Sequence, residues 1–69
     1  METPLIGRYR HYKGREYMLK AVGRYEVDET EVAIYQDLEG AWWVRPLGEF
    51  AGTVEVNGEY IPRFVFLEE

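Results

Sequence analysis

The chain has no cysteine, no serine and only one histidine in 69 residues. Without cysteine there is neither a disulfide nor a thiolate metal site. A single histidine, His11, cannot build a zinc site alone, and the carboxylates show no calcium-loop spacing. No metal or cofactor is expected. The missing serine and cysteine remove the usual nucleophiles, and Thr3, Thr30 and Thr53 have no histidine nearby in sequence. Neither a Walker A loop nor G-x-G-x-x-G occurs. His11 could be paired on paper with any of thirteen acids, so no such pair is specific. The reading is non-enzymatic, with no catalytic residue assigned. No charged-then-apolar leader opens the chain, and no apolar run approaches the length of a membrane span. The expectation is a soluble cytoplasmic protein with no membrane partner, complete from Met1.

What remains is one small domain over residues 1–69. A chain of this size buries only roughly 60% of its unfolded surface, so packing must supply its stability. Eleven aromatic residues can do so, because each buries a large area. Charge is unevenly spread. Residues 1–25 carry six basic and two acidic residues; residues 26–69 carry two basic and eleven acidic, for a net charge of −5. The overall sign disfavours general nucleic-acid binding. It leaves room for a local basic face. That face would lie in "RYRHYK" (8–13) and Arg15, where four of the eight basic residues gather around tyrosines. Attraction between the two halves across neighbouring strands is the simpler use of the same charges.

Alternation of apolar and polar residues dominates, with no sustained helical period. Strands are expected at 8–13, 16–22 ("EYMLKAV"), 31–38 ("EVAIYQDL"), 42–45 ("WWVR"), 53–56 ("TVEV") and 59–66 ("EYIPRFVF"). "KGR" (13–15) and "EGA" (39–41) read as turns, Gly23 as a break, and 24–30 as an acidic connection. "PLGEFAG" (46–52) reads as a loop or a single 3₁₀ turn, and the terminal "LEE" as a frayed tail. "NG" (57–58) is a type I′ hairpin signal. Five or six short antiparallel strands without a substantial helix imply an all-β fold that closes into a small barrel.

Four segments carry a resemblance. "GRYRHYKGREY" (7–17) resembles a G-x-Y-x-H-Y-K-G-x-x-Y signature, and "VAIYQDLEG" (32–40) a V-V-Y-x-x-L-Y-G segment. "WVRPLGEF" (43–50) is similar to W-V-R-P-x-x-M-F, and "PRF" (62–64) to the same family's ending. The family is a set of small bacterial proteins known only as a domain of unknown function. The resemblance implies an SH3-like barrel in a bacterial cytoplasmic protein, and no activity. The chain departs from it in three places. Gly23-Arg24-Tyr25 stands where A-x-H is usual, Glu39 where tyrosine is, and Glu49 where methionine is.

Adjacent strand residues point to opposite faces, so Trp42 groups with Val44, and Trp43 with Arg45. If Val44 is core, Trp42 is core and Trp43 lies outside; the reverse has Trp43 plugging one end of the barrel. At least one tryptophan is expected to be structural. Arg63 is expected to pair with an acid while Phe64 fills the core. In 8–13, alternation puts Tyr9, His11 and Lys13 on one face and Arg8, Arg10 and Tyr12 on the other. The leading function is a binding module for a protein or extended peptide, through Tyr9, His11, Tyr12, Trp43, Arg45 and Arg63. The alternative is single-stranded RNA or DNA on Arg8, Arg10, Lys13 and Arg15. A homodimer that absorbs the aromatic surplus is the third reading.

Overall fold

The structure is a computed structural model describing residues 3–69. Seven strands and one short helix follow in order: β1 (Gly7–His11), β2 (Glu16–Arg24), β3 (Glu31–Asp37), β4 (Trp42–Pro46), α1 (Leu47–Phe50), β5 (Thr53–Val56), β6 (Glu59–Pro62) and β7 (Phe64–Glu68). Five strands form an antiparallel sheet in the order β4-β3-β2-β1-β7, and β5 pairs with β6 in a second sheet. Register shifts at Leu19/Ala21 in β2 and at Arg8/Tyr9 against β7 bend the larger sheet. The result is an open, small, barrel-like all-β fold.

Local chemistry sets the turns. The Gly14 N–H donates to the His11 carbonyl at 2.7 Å, closing β1 onto β2. Between β3 and β4, Asp37 Oδ1 accepts the N–H groups of Glu39 and Ala41, both at 2.9 Å. Asn57 and Gly58 take φ of 52° and 82°, the positive pair that a type I′ hairpin requires.

The core lies on the concave face of the five-stranded sheet. Tyr9, Leu19, Ala33, Tyr35 and Phe64 come from its strands, and Leu47 and Phe50 from α1 beneath it. Phe50 and Phe64 stack with centroids 4.3 Å apart, and Tyr9 and Tyr35 close on Phe50 at 5.1 and 5.4 Å. The Tyr9 hydroxyl donates to the Leu5 carbonyl at 2.6 Å, so its polar end is satisfied.

Several expectations change. The run 59–66 is two strands: Arg63 separates β6, which pairs with β5, from β7, which pairs with β1. The strand count among the described residues therefore comes to seven. The tail is not frayed through Glu68, since β7 includes it and Glu68 pairs with Arg8. Residues 47–50 form a helical turn because Leu47 and Phe50 must both reach the core from one short segment. Gly23 does not break β2; the strand runs to Arg24 with the Ile34 side chain lying over the glycine. Gly7 has φ +149°, and a Cβ there would run into the Glu68 carbonyl oxygen. Only glycine fits that crossing.

Candidate ligand-binding site

Cross-strand pairing decides the faces. Tyr35 lies opposite Trp43 and Ala33 opposite Arg45, so Trp43 and Arg45 share the concave face with the core. Trp42 opposes Gln36 and Val44 opposes Ile34 on the convex face, where Trp42 is 59% and Val44 60% exposed. Trp42 does share a face with Val44, but not the core face, so the alternative that set both in the core is excluded. Neither tryptophan is buried, because β4 is the last strand of the sheet and lies at the rim of the core. Trp43 is still fixed: its Nε1–H donates to Asp37 Oδ2 at 2.9 Å. That bond, followed by those from Ala41 and Glu39 and the charge of Arg15, holds the Asp37 carboxyl below the usual carboxylate range against a smaller opposing effect of burial.

The six candidate residues divide. Tyr9 is core and leaves the surface. His11 and Tyr12 are half-buried, with ring centroids 4.6 Å apart. Strand alternation had set Tyr12 on the other face from His11; β1 stops at His11, and the turn brings the two rings together. His11 lies opposite Phe64 in the register, edge-on to it at 5.0 Å, with Tyr17 at 6.4 Å. Burial lowers the His11 pKa first, then the positive charges of Arg45, Arg63 and Lys13. The Lys13 N–H donates to His11 Nδ1 at 3.2 Å, so the neutral ring carries its proton on Nε2.

Arg45 and Arg63 reach the same region from β4 and from the β6–β7 junction. An Arg45 terminal nitrogen meets Glu49 Oε1 at 3.1 Å, and the Tyr35 hydroxyl beside the guanidinium is the first cause holding it charged. Arg45 Nε is buried and has no hydrogen-bond partner among the described residues. Arg63 makes no ion pair among those residues, contrary to the expectation. Its Nε donates to the Glu49 carbonyl at 3.2 Å, its N–H to Gly52, and its own carbonyl accepts the Tyr12 N–H. It thereby ties α1, β1 and β7 together. Phe64 does fill the core.

The four residues of the nucleic-acid alternative are not one patch. Arg8 is half-buried between Glu16 and Glu68. Arg10 is exposed in β1, and Lys13 and Arg15 lie in the turn beyond it. Arg8 with Glu68 is the cross-strand charge attraction that the uneven halves suggested. A depression of about 400 Å³ lies between this turn and the β3–β4 turn, lined by Arg15, Glu16, Asp37, Leu38 and Glu39 with Gly14. It lacks aromatic walls and is mainly acidic, so it is not the basic–aromatic site.

The model of the family described as "Protein of unknown function (DUF1653)" matches residues 7–66. This chain belongs to the DUF1653 family. A crystal structure of a DUF1653 protein from Bordetella bronchiseptica is similar to it, with 28% identity and a TM-score of 0.83. The match covers 93% of this chain and 87% of the Bordetella one. No curated protein matches. The DUF1653 match includes His11, Trp43, Arg45 and Arg63. Sequence reasoning missed Tyr17, which lies edge-on to His11, and Tyr35 and Glu49, which lie against Arg45. Tyr35 alternates with Ala33 and Asp37, but only the strand register reveals that it faces Trp43.

Proposed function

We propose that this DUF1653 protein is a non-enzymatic binding module for a partner protein. It takes an acidic group of that partner on Arg45 and Arg63, beside His11, Tyr12 and Trp43. One observation carries the reading: Arg63 makes no ion pair among the described residues and Arg45 Nε is buried without a partner, on an aromatic face of an acidic chain. Glu49 offsets only part of the charge of the two arginines. Arginine beside tryptophan and tyrosine is the composition of interaction hot spots. A partner carboxylate would also find a guanidinium already oriented by Glu49 and Tyr35, which lowers the cost of ordering it. RNA is less well served, since Arg8 is engaged by two carboxylates and the remaining basic residues are dispersed. A cytoplasmic setting goes with the reading, because the chain has no cysteine to oxidise.

The test is amide and side-chain shift mapping at low salt, against acidic peptides and against short RNA. Acidic peptides should move His11, the Trp43 indole and the Arg45 and Arg63 side-chain signals, and should raise the His11 titration midpoint. A response confined to other residues would sink the site.

A further inference from the structure

We propose that the partner segment binds as an added β-strand along the open edge of β4, with an acidic side chain set on Arg45. This rests on the binding reading above and adds its geometry. β4 is an edge strand; among the described residues it pairs with β3 alone. The Asp37 N–H donates to the Ala41 carbonyl at 3.0 Å, which fixes the phase of the antiparallel ladder. Two residues along, Trp43 faces Tyr35 and Arg45 faces Ala33 in the same hydrogen-bonding class. The N–H and C=O groups of Trp42 and Val44 therefore point away from β3, into the open. Pro46 belongs to that outward class too, so its missing N–H costs the sheet nothing and marks where the free edge ends.

Edges are normally blunted by charge, proline or cover. Here Arg45 and Pro46 guard one end only. Trp42, Trp43 and Val44 are 59%, 49% and 60% exposed around the free backbone groups. An added strand would alternate across the two faces. Its concave side chains would meet Trp43 and Arg45, and its convex ones Trp42 and Val44. The matching segment is extended, apolar on one side, and acidic where it passes Arg45.

A second copy of the chain fits less well. Pairing two β4 edges with Trp42 opposite Val44 sets Arg45 opposite Ala41, with no carboxylate. Pairing Val44 with Val44 leaves the Trp42 carbonyl facing the proline nitrogen of Pro46. Two copies also each carry a charge of −5.

The probe is a blocked seven-residue peptide of alternating valine and glutamate. Beside it run two analogues, N-methylated on the odd or the even residues, and an eight-nucleotide oligouridylate. Amide hydrogen exchange and shifts are read by NMR on the wild-type chain and on Val44→Pro, which loses an outward N–H but no bond to β3. The parent peptide should slow exchange at the Trp42 and Val44 amides by about tenfold. One N-methylated analogue and Val44→Pro should abolish that protection. If His11, Trp43 and Arg45 respond while the Trp42 and Val44 amides stay unprotected and both analogues still bind, the strand proposal is overturned and the binding site stands. No response to any peptide at millimolar concentration overturns both. Protection by oligouridylate alone, or by raising protein concentration without peptide, overturns the proposal in favour of RNA or of self-association.

Discussion

Replacing Phe50 with alanine removes the ring on which the core closes. Phe50 is 2% exposed, stacks on Phe64, receives the edge of Tyr9 and lies against the tilted ring of Tyr35. Truncating a buried phenylalanine costs about 3–5 kcal/mol, because the lost transfer free energy is joined by a cavity. A domain of 69 residues holds only about 3–10 kcal/mol in total, at roughly 0.05–0.15 kcal/mol per residue. Phe50→Ala should therefore sit near or beyond the unfolding threshold. Phe50→Leu keeps much of the volume but loses the stacked pair, so it should cost about 1–2 kcal/mol. In a domain this small that lowers Tm by roughly 5–15 °C. Urea titration followed by circular dichroism gives the free energies, and a thermal scan gives Tm. Four helical residues cannot hold themselves together, so α1 exists because the core needs Leu47 and Phe50. A Phe50→Ala variant that loses less than about 1 kcal/mol would refute that account.

Two further outcomes follow from particular residues. Gly7→Ala should destabilise the fold by about 1–3 kcal/mol, since the new Cβ meets the Glu68 carbonyl at a φ unsuited to alanine; urea titration measures it, and an unchanged midpoint contradicts the crossing. For His11, folding lowers the pKa, so the unfolded chain holds more protons between the folded value and the usual value of about 6.5. Stability should rise with pH through that window and be fully present above it. The His11 ring-proton titration should give a midpoint below 6.5, and Arg63→Gln should move it upward.

The sequence carried the strand periods and turn residues well, and for a physical reason. The Asn57–Gly58 hairpin and the Asp37 turn are decided by two or three residues, so they can be read locally. The family resemblance was legible in four segments, 7–17, 32–40, 43–50 and 62–64, and the match over residues 7–66 bears out the family. Changes of partner were not legible. "EYIPRFVF" reads as one run marked only by Pro62, yet Arg63 sends its two halves to different sheets through bonds to Gly52, Glu49 and Tyr12. The tryptophan pair stayed open for a different reason. Alternation separates Trp42 from Trp43, but the core side depends on where β4 stands in the sheet order. Tyr9 and His11 were correctly put on one face, although the depth of each was not: Tyr9 is closed over by Phe50 and Phe66, while His11 lies at the rim beside Tyr12.

The pairing of β1 with β7 has a kinetic side. The hairpin and meander from β1 to β4 close through short local turns, at little entropic cost. β7 must return from the far end of the sequence, and it brings Phe64 and Phe66 with it. Until it docks, Phe50 has no stacking partner and Tyr9 lacks one of its two neighbouring rings. The meander alone is then a bent sheet with an unfinished hydrophobic face. Its early formation gains little until the longest loop closes, so the chain should fold slowly for its size and all at once.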